Sequence, residues 1–230
     1  MKKGKIIKKK PAKSSAPKSK EKKKGVIERV PIGIPNFDKL VEGGFEKKSI
    51  NLVIGGSGST KTIFAIQFIY QGLLKGENCL YVTFEEKKEE FYANMLEFGW
   101  DLEKFEKEDK FVFLEYTPEK VKTMLEEGGG IIESIVLQKK ITRVVIDSIT
   151  SFALLFDSEL EKREASLSLF TMLRKWECTT LLTYQRDPVS DKKLASGVIE
   201  FESDSIIILY FVRTGKTRER YLEILKMRGT

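Results

Sequence analysis

Ile50-Asn51-Leu52-Val53-Ile54-Gly55-Gly56-Ser57-Gly58-Ser59-Thr60-Lys61-Thr62-Ile63-Phe64-Ala65 is the stretch on which the fold turns. A β-rich apolar run, a turn of glycine and serine, and an apolar helical pattern follow one another without a gap, which reads as strand, loop, helix. In such a loop the backbone N–H groups of Gly55, Gly56, Ser57, Gly58, Ser59 and Thr60 can curl around phosphates. Lys61 would reach the β/γ oxygens and the Thr62 hydroxyl would hold Mg²⁺. The pattern G-x-x-x-x-G-K-[ST] is broken at its second glycine, where Thr60 stands. A β-branched residue there puts a side chain where backbone approaches phosphate, and it is not expected to adopt the positive φ that glycine tolerates. Three readings stay open: a working loop, a degenerate site that keeps the fold without turnover, and a chance glycine-serine turn.

Outward from this stretch, short β-rich runs alternate with helical patterns. Ile50–Ile54, Leu80–Phe84, Phe111–Glu115, Val144–Asp147, Thr180–Tyr184 and Ser205–Val212 read as strands. Lys61–Leu74, Lys87–Phe98, Pro118–Lys140 and Glu159–Trp176 read as crossover helices, with Gly76 and Gly99 as C-terminal stops and a break at Gly128-Gly129-Gly130. Ser205–Val212, a turn at Thr214-Gly215-Lys216 and Arg220–Met227 predict an antiparallel hairpin. The fold class is therefore α/β, a mostly parallel sheet flanked by helices with a C-terminal antiparallel edge hairpin.

At 230 residues the chain fits one domain, placed at 25–230, plus a tail. Residues 1–24 hold twelve Lys against one Glu, about +11, so the net charge of +7 leaves about −4 for the rest. This lysine-rich segment is expected to be disordered, with nucleic acid or an acidic partner as its possible ligand and a solvated solubility tail as the alternative. No apolar run approaches the ~20 residues of a membrane span, and no h-region follows the N-terminal lysines, which points to the cytoplasm. Cys79 and Cys178 sit in apolar runs and read as small buried thiols. With no histidine in the chain, Ser-His-Asp and Cys-His catalysis are excluded. Hydrolysis would rest on carboxylates, lysines, arginines and a hard cation.

Leu80–Phe84 runs into Glu85-Glu86, and ligand sites of open α/β sheets lie beyond the C-terminal ends of the strands. One of these carboxylates could orient an attacking water while its neighbour adds field; a charged helix start is the rival. Arg143-Val144-Val145-Ile146-Asp147-Ser148 closes an apolar strand with an aspartate suited to Mg²⁺ opposite Thr62, the rival being a helix cap. Lys226 and Arg228, two apart on a strand, share one face. They could lie over a neighbouring subunit's triphosphate or simply make a solvated basic edge.

Together these residues resemble the KaiC family within the RecA-like ATPases. The similarity covers Val30-Pro31-Ile32-Gly33-Ile34-Pro35-Asn36-Phe37-Asp38 with Gly43-Gly44, the loop Gly55–Thr62, Thr83-Phe84-Glu85-Glu86, Phe98-Gly99-Trp100-Asp101, Val145-Ile146-Asp147-Ser148 and Lys226-Met227-Arg228-Gly229. The resemblance implies an ATP- and Mg²⁺-binding ATPase that forms a homo-oligomer, a hexamer. Lys61 and Thr62 would grip phosphates and metal, Glu85 and Glu86 would be catalytic glutamates, and Lys226 with Arg228 would reach the adjacent subunit's site. Gln185 would stand where RecA-like proteins place a γ-phosphate sensor. Thr60 departs from the pattern, a single ATPase domain is present, and Glu200-Phe201 replace the phosphoacceptor pair of clock members. An oligomeric switch or motor subunit, a nucleotide-binding scaffold without turnover, and a recombinase-like DNA-binding paralogue are the functions that follow.

Overall fold

The computed structural model describes residues 27–117, 120, 123, 130–153, 155–188 and 197–230. The lysine-rich segment 1–24 lies outside the described residues, as do Gly128 and Gly129 and most of the expected helix before Gly130. The elements in order are β1 (Arg29–Val30), α1 (Phe37–Leu40), β2 (Phe45–Glu46), β3 (Ile50–Gly55), α2 (Lys61–Leu74), β4 (Cys79–Thr83), α3 (Lys88–Glu97), α4 (Leu102–Lys107), β5 (Phe111–Glu115), α5 (Gly130–Gln138), β6 (Arg143–Asp147), α6 (Ile149–Ala153), α7 (Glu159–Lys175), β7 (Thr179–Gln185), α8 (Val198–Glu202), β8 (Ser205–Thr214) and β9 (Thr217–Met227).

Seven strands form one sheet in the order β5-β4-β6-β7-β3-β8-β9, parallel throughout except for the last pair. β3 lies inside it, with Ile54 beside Tyr184 of β7 on one flank and Ile208 of β8 on the other. Both faces are covered, which is why these strands read as unbroken apolar runs. The period of two sorts the side chains. Val53, Tyr81, Val145, Leu181 and Ile207 face α2, α3, α4 and the N-terminal segment. Leu52, Leu80, Val144, Leu182 and Ile206 face α5 and α7. Fully burying one such side chain contributes roughly 1.5–3 kcal/mol.

The glycine stops act as expected. At the end of α2, Gly76 has φ +78°, its N–H donates to Leu73 O, and Glu77 N donates to Gly72 O. Gly99 repeats this pattern after α3, also at φ +78°, with Trp100 N on Met95 O. These paired bonds satisfy carbonyls that the helix leaves over. α4 escapes the sequence pattern because it is six residues long and is followed, after Glu108, by Asp109 at φ +59°, where a glycine would announce the stop. At the hairpin, Thr214 pairs with Thr217 and Gly215 takes φ +63°, as a two-residue turn with glycine first requires. Cys79 and Cys178 are free and buried, and burial pushes both thiols up. None of the described helices is long and apolar enough to cross a membrane.

One buried cation organises the end of the sheet away from the loop. Arg143 is fully buried: Nε and Nη2 donate to Glu77 at 2.9 and 2.6 Å, and Nη1 donates to the carbonyls of Pro31 at 2.7 Å and Phe68 at 2.8 Å. Its guanidinium lies 4.8 Å from the Phe68 ring centre. Gly72 makes the room, since a Cβ there would stand 2.5 Å from Arg143 Nε. Burial works against the charged Glu77 carboxylate, but the hydrogen bonds and charge of Arg143 outweigh it and hold the carboxyl below its ordinary range. The stability this pair adds is therefore present above the ordinary carboxylate pKa and lost as pH falls through the lowered value. Glu77→Gln is expected to cost about 2 kcal/mol, discounted for the partial exposure of Glu77, and to lower the urea midpoint at unchanged slope. A wild-type midpoint would mean that the two carbonyls alone suffice for Arg143.

Candidate active site

The loop from Gly55 to Thr62 joins β3 to the first turn of α2. It is tightly folded at its base: a Cβ on Gly55 would meet Ser59 Oγ at 2.3 Å and the Leu209 carbonyl at 2.7 Å. φ is positive at Gly58 (+74°) and at Thr60 (+73°) on either side of Ser59. Such an alternation turns successive N–H groups toward a common concavity that suits an anion. Thr60 thus corrects the expectation drawn from its side chain, because it does adopt the left-handed conformation. Its carbonyl accepts from Phe64 N at 3.0 Å, starting α2, and its hydroxyl donates to the Ser59 carbonyl. The α2 ladder thus holds a conformation that costs an L-residue roughly 1–2 kcal/mol.

Lys61 folds back on the loop, with Nζ 3.0 Å from the Gly56 carbonyl. Partial burial lowers its pKa, opposed by the attraction of Asp147 and then Glu85. Thr62, one residue into α2, donates from Oγ1 to Asp147 Oδ2 at 2.8 Å. Asp147 ends β6, two strands from β3, and its following peptide bond is cis. Tyr81 OH also donates to Oδ2, at 2.7 Å, and Thr183 Oγ1 donates to Oδ1.

Glu85 and Glu86 follow β4, with both backbone N–H groups 3.2 Å from Thr83 Oγ1. They precede rather than begin α3, which starts at Lys88. Glu85 Oε1 accepts from Ser148 Oγ at 3.0 Å and Ser151 Oγ at 3.4 Å. The Glu86 carboxyl is raised, first by burial and then by repulsion from Asp147, Glu85 and Glu90. Gln185 pairs in register with Gly55, and its N–H donates to Thr150 Oγ1. Lys61, Thr62, Asp147, Glu85, Glu86 and Gln185 therefore gather at the C-terminal ends of β3, β4, β6 and β7.

Lys226 and Arg228 do not join them. They lie beside Ser205 and Ile206, level with the start of β3, about 16 Å from its loop end at ~3.3 Å per residue. Lys226 Nζ donates to the carbonyls of Phe201 at 3.0 Å and Glu200 at 3.3 Å. Burial and then the charge of Arg228 lower its pKa. Arg228 Nη1 pairs with Asp204 Oδ1 at 2.8 Å.

Sequence reasoning missed Phe211 and Arg220 of the hairpin. The Phe211 ring comes within 3.4 Å of the position a Gly58 Cβ would occupy. Arg220 lies 4.5 Å over that ring and donates to the Gly58 carbonyl at 3.3 and 3.4 Å. The signal was present in the hairpin register, which sets Phe211 opposite Arg220, but only the β3–β8 pairing puts both at the loop.

The donor set, one carboxylate and one hydroxyl, fits a hard cation. Among the described residues no cluster of three or more His, Cys, Asp or Glu could hold a metal ion. Mg²⁺ takes one or two carboxylates plus phosphate oxygens and water, and one carboxylate touching one hydroxyl is that kind of protein contribution.

A family model described as "ATPase: KaiC" matches residues 30–230. The circadian clock protein KaiC3 of Synechocystis is 35% identical over 211 residues, 89% of this chain and 42% of that protein. The circadian clock oscillator protein KaiC of Synechococcus elongatus is 37% identical over 204 residues, 86% of this chain and 39% of that protein. The chain thus spans less than half the length of these curated relatives. The crystal structure of a KaiC-like protein from the hyperthermophilic archaeon Pyrococcus horikoshii superposes with a TM-score of 0.77 at 38% identity, covering 89% of this chain and 90% of that one. The strand order and these matches agree: the chain belongs to the KaiC family of RecA-type P-loop ATPases.

Proposed function

We propose that this chain binds ATP with Mg²⁺ in the loop Gly55–Thr62, hydrolyses it slowly, and works as a switch or motor subunit of a homo-oligomer, a hexamer by family likeness. The observation that carries the reading is the convergence of Lys61, Thr62 and Asp147 at the head of α2, with Thr62 Oγ1 2.8 Å from Asp147 Oδ2. Gly55, Gly56, Ser57, Gly58, Ser59 and Thr60 offer backbone N–H groups to the phosphates, and Lys61 exchanges the Gly56 carbonyl for phosphate oxygens. Bound Mg²⁺, held by Thr62 and Asp147, would neutralise charge on the triphosphate.

Glu86, whose carboxyl is raised first by burial, stands beside Glu85 as a base for an attacking water. Glu85, fixed by Ser148 and Ser151, orients that water and adds field. Lys226 and Arg228 stand too far from their own loop to touch its phosphates, which supports their acting on the site of an adjacent copy. Thr60 favours a second reading, a nucleotide-binding scaffold without turnover, because a threonine stands where the loop pattern has its second glycine. Residues 1–24, proposed as a separate basic tail to the domain 25–230, would add salt-sensitive, sequence-blind affinity for nucleic acid or an acidic partner.

Lys61→Ala is expected to lower ATP hydrolysis roughly 100-fold in a steady-state phosphate-release assay. Equal turnover by both proteins would refute the site. Thr60→Gly should raise the folding stability by about 0.5–1 kcal/mol, some 2 °C in thermal midpoint, through relief of the left-handed threonine. The free loop already holds that conformation, so nucleotide affinity should change less than threefold by calorimetry; a tenfold gain would show that the side chain itself obstructs phosphate. Light scattering is expected to report a larger particle with ATP-Mg²⁺ than without it, and an unchanged monomer mass would argue against the oligomer.

A further inference from the structure

Tyr81 is fully buried in an aromatic column: its ring lies parallel to Phe113, 5.7 Å away at an interplanar angle of 4°, and 4.8 Å from Phe91. Phenylalanine would fill that column equally well. What tyrosine adds is one hydroxyl, and a buried hydroxyl without a partner is costly. Its partner is Asp147 Oδ2, at 2.7 Å.

The three hydroxyls on Asp147 are not equivalent. Thr183 holds Oδ1, while Thr62 and Tyr81 share Oδ2. A hydroxyl that turns a lone pair to a metal keeps its proton, but its direction is then set by the metal; Tyr81 is the second side-chain donor on Oδ2, and its bond does not depend on where the Thr62 oxygen points. Tyr81 sits on β4 and Thr183 on β7, the strands flanking β6, so the carboxylate is gripped from both sides.

We propose that Tyr81 is a positioning residue for the metal carboxylate: its hydroxyl fixes the rotation of Asp147 beside Thr62 once Thr62 engages nucleotide-borne Mg²⁺. The inference rests on the reading that Asp147 and Thr62 hold that ion. Partners that orient a metal ligand typically contribute 10- to 100-fold in metal affinity.

The test is a Mg²⁺ titration of the binding of a fluorescent ATP analogue to the full chain, wild type beside Tyr81→Phe and Phe113→Leu. For Tyr81→Phe the Mg²⁺ concentration at half effect is expected to rise about tenfold, while analogue affinity in EDTA stays within twofold. Phe113→Leu loosens the column but keeps the hydroxyl, so it should lower the thermal midpoint and leave the Mg²⁺ midpoint in place. An unmoved Mg²⁺ midpoint in Tyr81→Phe, or an equal shift in both variants, would overturn the proposal and leave the nucleotide site standing. Wild-type protein that ignores the analogue at every Mg²⁺ concentration would overturn the nucleotide reading and this inference with it.

Discussion

The hydrogen bond from Thr62 to Asp147 is the contact through which the sheet becomes a site. It joins the first turn of α2 to the end of β6, across the width of β7. A carboxylate only 9% exposed must find donors, and here they come from α2, β4 and β7. Asp147 therefore reports the register of strands on both its flanks and the seating of α2. A slip of one residue in β6 would turn the carboxylate to the other face and strip it of all three partners.

Parallel strand register brings the remaining groups to the same edge. Glu85 and Glu86 follow Thr83, which pairs with Asp147, and Gln185 pairs with Gly55. Neither placement needs a loop of special shape. The same logic sends Lys226 and Arg228 elsewhere: β9 runs antiparallel to β8, so its C-terminal end returns to where the parallel strands begin. Their distance from the loop is a consequence of topology, and side-chain rotation cannot close it.

Much of this was legible in the residues. Local pattern and breaker residues marked β3, α2 and the hairpin turn because each element carries its own boundary chemistry, such as Gly76 after α2. Thr62 and Asp147 were legible as partners because the loop spacing and the strand-aspartate pattern each imply the other. Arg143 was not, since an arginine opening a strand looks like a surface residue until Glu77, Pro31 and Phe68 are folded around it. Tyr81 was hidden for the same reason: in a run of five buried strand residues its hydroxyl has meaning only beside Asp147. Thr60 shows the limit of reasoning from intrinsic preference. The left-handed penalty is real but small, and the helix that begins at Lys61 outweighs it.

Three cations, two at the loop and one at the far end of the hairpin, share a mode of restraint. Lys61, Arg220 and Lys226 all donate to backbone carbonyls, of Gly56, Gly58, and Glu200 with Phe201 respectively. Each of these hydrogen bonds is charge-assisted, an ionised donor on a neutral carbonyl, and so stronger than a bond between two neutral groups. Arg228 differs, being paired with the Asp204 carboxylate, yet it is 56% exposed and such a pair contributes at most about 1 kcal/mol. Asp204 also accepts from Ile50 N at 2.9 Å and Arg174 at 3.4 Å. Both of those donors reach Oδ2, whereas Arg228 donates to Oδ1. The fold thus ties Lys61 and Arg220 to the loop and Lys226 to α8 through backbone carbonyls, and Arg228 to the carboxylate at the start of β8.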